Sequence, residues 1–188
     1  GAKVVLTPKE ERGIGMYNTA KQLAEDNGWF FASQFENSAN ADIHESTTAR
    51  EILADFEGAP LDYWVTGYGT GGTVTGVARA LRRERPDCKI VLSEPHNAAL
   101  LGSGLAQERH ADGSPTGSHP AWEPHVIQGW TPDFIPKVLQ ESIDREFFDE
   151  VRSVDGMQGM AMAQHLAAKE GILTGVSGGS TLTTAIEV

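Results

Sequence analysis

Gly67-Tyr68-Gly69-Thr70-Gly71-Gly72-Thr73 is the stretch whose reading decides the fold. Before it runs Leu61-Asp62-Tyr63-Trp64-Val65-Thr66, apolar and β-branched, which reads as a buried strand. After it, from 74 to 83, Val77, Ala80 and Leu81 fall on one face at helical spacing. A strand, a glycine turn and a helix start in succession leave several backbone N–H groups unpaired at the positive end of a helix dipole. That arrangement suits a phosphate. Glycines keep side chains out of the way, and the Thr70 and Thr73 hydroxyls can add donors.

The turn alone leaves three readings open. It can be a tight turn that binds nothing. It can be a dinucleotide site, since Gly67, Gly69 and Gly72 satisfy G-x-G-x-x-G and Glu94 ends the next strand about 20 residues on. It can hold a compact phosphate ester such as pyridoxal phosphate. A nucleoside-triphosphate loop fits worst, because no Gly-Lys-Ser/Thr follows the glycines.

The chain of 188 residues suits one ordinary domain or one and a half small ones. Its net charge of −11 argues against nucleic acid or an anionic membrane as partner. A phosphate would therefore be held locally, by N–H groups rather than by a basic patch. The single cysteine, Cys88, rules out an internal disulfide framework and suits a reducing compartment. No run is long and apolar enough for a membrane span and no signal peptide is visible, so a cytoplasmic location is expected.

Strands are expected at 2–6, 29–32, 61–66, 89–93, 149–154 and 172–176. Helices are expected at 13–27, 45–57, 74–83 and 155–170, with another opening after Ser177 and a polar loop at 34–43. The alternation implies an α/β fold, a three-layer sandwich with a mostly parallel sheet covered by helices. Residues 94–126 break the rhythm with a long loop rich in Gly, Pro, Ser and His. His110, His119 and His125 match no metal-ligand spacing and read as solvated loop residues, so no metal is expected. His165 reads as structural or surface. Ser177-Gly178-Gly179-Ser180-Thr181 is a second Gly/Ser turn opening a helix. Its Ser177 hydroxyl either caps that helix or holds a heteroaromatic nitrogen while the first turn holds a phosphate.

Read together, 34–40, 44–52, 67–77, Glu94-Pro95, 127–136 and 170–181 resemble the cysteine synthase (O-acetylserine sulfhydrylase) and cystathionine β-synthase family of fold-type II pyridoxal-phosphate enzymes. They run in the family's order across nearly the whole chain. The resemblance implies pyridoxal 5'-phosphate as cofactor, its phosphate held by Gly69, Thr70, Gly71 and Thr73, with Gly72 in the same turn. Ser177 would take the pyridine nitrogen through a neutral hydrogen bond, leaving the ring a weaker electron sink, which is consistent with β-elimination and replacement chemistry. Gln34 would contact the substrate carboxylate region and Gly129 would line the entrance. The implied reaction makes L-cysteine from O-acetylserine and sulfide in a two-domain homodimer acting on a small amino acid. The alternatives are condensation of serine with homocysteine, a non-catalytic module of the same fold and, remotely, an NAD-dependent oxidoreductase.

The departures are as specific. The family's Schiff-base lysine sits in a Ser-x-Lys motif, and none of Lys3, Lys9, Lys21, Lys89, Lys137 and Lys169 has that context. Its Thr-Ser-Gly-Asn-type loop is also missing. Trp130-Thr131-Pro132 replaces the usual glycine-rich tripeptide after Gln128-Gly129. The expectation is a remnant of the smaller domain at 1–33 and a larger cofactor-binding domain, incomplete at its end, at 34–188. No catalytic residue is assigned within this chain, which is expected to be inactive by itself.

Overall fold

The computed structural model of the protein describes residues 1–188. Its sheet has three parallel strands in the order β1 (Tyr63–Gly67), β2 (Lys89–Pro95), β3 (Glu150–Val154). Trp64 lies opposite Ile90, Gly67 opposite Ser93, and Leu92 opposite Val151. The central position of β2 explains its unbroken Ile90-Val91-Leu92 run, since both faces of a strand in a parallel sheet are covered. Ile90 and Leu92 pack with Val77, Ala80 and Leu81 of α4 (Gly72–Glu84). Val91 and Ser93 point the other way by strand alternation, toward the side where α7 (Val176–Ile186) crosses the strands.

The other helices are α1 (Arg12–Asn27), α2 (Ala39–Ser46), α3 (Thr48–Asp55), α5 (Lys137–Asp144) and α6 (Gly156–Glu170). Gly28 and Gly171, both left-handed, stop α1 and α6, and the Asp155 carboxylate caps α6 by accepting the Met157 N–H. α2 lies directly on α4. The approach is so close that a Cβ at Gly76 would run into the Ala41 carbonyl and the Glu45 amide.

Several expected elements differ. Residues 2–6, 29–32 and 172–176 form no strand, and Leu6 (88%), Phe30 (87%) and Leu173 (88%) stand exposed. Strand propensity counts only where a neighbouring backbone completes the ladder, and these three runs have none. The polar loop expected at 34–43 already contains the start of α2. The single helix expected at 45–57 is two, parted at Thr47. There the Ser46 and Thr47 hydroxyls donate back to the Asp42 and Ile43 carbonyls and compete with the helix ladder. Between β2 and α5 the only pairing is an isolated bridge, Arg109 with Pro115.

α4 is tied to its neighbours by charge as well as packing. The Arg79 guanidinium donates from Nε and Nη2 to the Glu141 carboxylate on α5, and from Nη1 to Asp42 and Glu45 on α2. Replacing Arg79 with Ala is expected to cost about 2 kcal/mol in urea denaturation, since it strands these acids around a part-buried site. Arg79→Lys, which cannot form the two-pronged pair, should recover less than half. Cys88, 2% exposed where α4 turns into β2, is the free thiol, and burial pushes its pKa up.

Candidate functional site

The glycine turn leaves β1 at Gly67 and re-enters regular structure at Gly72. Gly71 supplies the left-handed step (φ 87°) that starts α4. The backbone N–H groups of Thr70, Gly71 and Thr73 have no acceptor, and that of Gly72 donates to Thr70 Oγ1 at 3.3 Å. Both threonine hydroxyls are held from α2. Asn40 Nδ2 donates to Thr70 Oγ1 at 2.9 Å and to the Gln34 carbonyl at 2.8 Å. His44 Nε2 is hydrogen-bonded to Thr73 Oγ1 at 3.2 Å, and its Nδ1 to Thr48 Oγ1 at 2.9 Å. Asn40 and His44 lie four residues apart, so one face of α2 holds both.

A strap from Gln128 to Thr131 closes on the same turn. The Gly129 carbonyl lies against the bare Cα of Gly69, and the Trp130 indole lies on that of Gly67. The Thr131 N–H donates to the Tyr68 carbonyl at 2.8 Å. In return, the Thr131 carbonyl accepts from Trp122 Nε1 and His125 Nε2, each at 3.0 Å. Thr131 adopts a positive φ of 41°, unusual for a β-branched residue, and these contacts hold it there. The strap borders a cavity of about 500 Å³ whose walls include Lys9, Arg12, Gly129 and Trp130.

Beneath the turn, the Tyr68 hydroxyl donates to Glu94 Oε2 at 2.6 Å. Glu94, fully buried, also accepts the N–H groups of Leu101 (3.1 Å) and Gly102 (2.8 Å). Burial pushes the Glu94 carboxyl above its usual range, and burial with the adjacent carboxylate pushes the Tyr68 phenol up. An acid so enclosed cannot reach a ribose. The G-x-G-x-x-G spacing therefore lacks the outward-facing acid that a dinucleotide site needs.

Of the residues singled out in the sequence, Gly69, Thr70, Gly71, Gly72, Thr73 and Gly129 come together at the strand ends. Gln34 joins them through its carbonyl, while its side chain is exposed and borders a separate cavity of about 270 Å³. Ser177 lies in the first turn of α7, half-buried and with no hydrogen-bond partner for its hydroxyl. No hydrogen bond connects it to the glycine turn, and it is not among the walls of the larger cavity; α7 reaches that region by packing against β1. His110 and His165 are exposed. His119, expected in solvent, is instead 1% exposed, donating from Nε2 to the Leu105 carbonyl and accepting the Ala121 N–H at Nδ1. It staples the long loop, as does His125.

The donor set fits a pyridoxal phosphate. Three open amides at a helix start suit a phosphate in an acidic protein, and an unpaired serine hydroxyl suits a ring nitrogen. Asn40, His44 and Trp130 are contributors with no role assigned from sequence, while Glu94, weighed there as a dinucleotide acid, instead supports the turn from beneath. The spacing of Asn40 and His44 on one helical face is the signal that could have marked the first two.

A sequence model of the family described as "Pyridoxal-phosphate dependent enzyme" matches residues 1–188. The chain is 43% identical over 188 residues to the O-ureido-L-serine synthase of Streptomyces lavendulae, covering 100% of this chain and 52% of the relative. It is 38% identical over 187 residues to a cysteine synthase of Staphylococcus aureus (strain Mu50 / ATCC 700699), covering 100% of this chain and 54% of the relative. Among solved structures, one of O-ureido-L-serine synthase superposes with a TM-score of 0.85 at 43% identity, over 98% of this chain and 52% of that one. The cysteine synthase of Entamoeba histolytica superposes with a TM-score of 0.80 at 30% identity, over 99% and 49%. The chain thus spans about half the length of the relatives it matches.

Proposed function

Since the chain belongs to the family of pyridoxal-phosphate dependent enzymes, we propose that its glycine turn holds the phosphate in an enzyme that replaces the β-substituent of a serine derivative. The observation that carries this reading is the trio of unpaired amides at Thr70, Gly71 and Thr73. In its finer form, the reaction makes L-cysteine from O-acetylserine and sulfide. Bound there, the cofactor supplies an electron sink for the substrate's Cα. The chain's own residues bind and orient. The amides of Thr70, Gly71 and Thr73 meet the phosphate oxygens. Asn40 and His44 fix the two threonine hydroxyls in advance, so little ordering is left to do on binding. Ser177 offers a neutral partner to the ring nitrogen, and the strap around Gly129 shields the entrance. Gln34 is assigned to the substrate carboxylate region. Residues 1–33 are assigned to the smaller domain and 34–188 to the cofactor-binding one. No lysine of the chain is assigned as the base.

The test uses the full-length protein loaded with pyridoxal phosphate. Its visible absorbance is expected to shift on adding O-acetylserine, and to return when sulfide is added. Ser177→Ala should slow that response by roughly 10²-fold while leaving phosphate binding nearly intact, because only the ring-nitrogen contact is lost. A protein whose absorbance ignores every O-acylated serine would sink the reading.

A further inference from the structure

We infer that Trp130 sets the size limit for the second substrate, admitting small nucleophiles and turning away an amino-acid thiol such as homocysteine. This rests on the β-replacement reading above and refines it. Ligands of open α/β sheets lie beyond the carboxyl ends of the strands. Gly67 is that end of β1, and the Trp130 indole covers its Cα so closely that any side chain there would overlap the ring. The ring cannot easily leave. Its neighbours are pinned on both sides, Gly129 by its carbonyl against Gly69 and Thr131 by its N–H on Tyr68 and its twice-held carbonyl.

The indole is therefore a fixed wall that lies against Gly67 at the head of the turn and borders the cavity of about 500 Å³. A ligand anchored on the Thr70 and Gly71 amides has this wall at its flank. A nucleophile of one to a few heavy atoms passes beside it. A thiol that brings its own ammonium and carboxylate needs the volume the ring fills, and would press two charges against an apolar face.

The experiment compares the loaded full-length protein with its Trp130→Ala, Trp130→Gly and Trp130→Phe variants. The ratio of kcat/KM for homocysteine to that for sulfide is expected to rise at least ~10-fold in the Ala and Gly variants and to fall back with Phe. Calorimetric titration with L-cystathionine, a thioether of two amino acids, should show ~10-fold tighter binding to the Ala variant than to the parent. Ratios that agree within about twofold across all four proteins, with parent and Ala-variant affinities for L-cystathionine that agree as closely, would overturn the inference. If the parent turns over neither sulfide nor homocysteine, the cysteine-forming version of the β-replacement reading falls, and the titration alone decides whether Trp130 is the wall.

Discussion

Gly71→Ala is expected to cost about 3 kcal/mol of folding stability and to abolish phosphate binding. Two penalties combine. A left-handed backbone costs a residue with a Cβ about 1–2 kcal/mol. Gly71 has a φ of 87°, and the new methyl would lie 2.7 Å from Leu139 Cα and 2.8 Å from its nitrogen. Those are backbone atoms of α5, so no rotamer change relieves them, and overpacking of this kind adds about 1–3 kcal/mol. Relaxation must then move the turn, and with it the open amides at Thr70, Gly71 and Thr73. Urea denaturation measures the first loss. Phosphorus NMR of bound pyridoxal phosphate measures the second. Native stability together with an unchanged phosphorus signal would show that the turn is softer than its contacts indicate.

Glu94→Ala is expected to cost on the order of 4 kcal/mol, because it leaves the buried Tyr68 hydroxyl and the part-buried Leu101 and Gly102 amides without their acceptor. It also opens a void under the turn. Tyr68→Phe removes one donor and leaves the other two satisfied, so about 1 kcal/mol is expected. The pH dependence separates the carboxyl's titration from its packing. The folded protein holds Glu94 above the usual glutamate range, so it favours the protonated form more than the unfolded chain does. The stability this contributes is fully present below the ordinary glutamate value and is lost as pH rises through the raised one. Across that window the parent should lose stability relative to Glu94→Ala. A difference between the two that stays constant with pH would mean that folding does not raise the carboxyl's pKa.

The β1–turn–α4 unit was legible in the sequence because a short apolar run and a helical periodicity meet at glycines. The apolar, β-branched run ends at Gly67 and helical spacing begins after Gly72, and both boundaries fall within two residues of their expected places. The runs at 2–6, 29–32 and 172–176 misled because a strand needs a second backbone, which no local pattern records. Long-range hydrogen bonding was equally hidden. Asn40 and Thr70 are separated by 30 residues, and nothing near either one names the other. Glu94 was visible as the acid ending a strand, but not the enclosure that removes it from ligand chemistry. Trp130 stood out only as a departure from a familiar tripeptide, and its place on the Gly67 Cα is a fact of packing.

Cys88 turns the seam between α4 and β2 into a clock. Its sulfur is shut away from reagent and its thiol is reluctant to ionise, so capture by an alkylating probe has to wait for that layer to part. The labelling rate, compared with that of a free thiol, therefore gives the opening free energy of this one seam without any denaturant. Tracking it while pyridoxal phosphate is added would reveal whether a ligand gripped at the head of α4 tightens the helix at its far end.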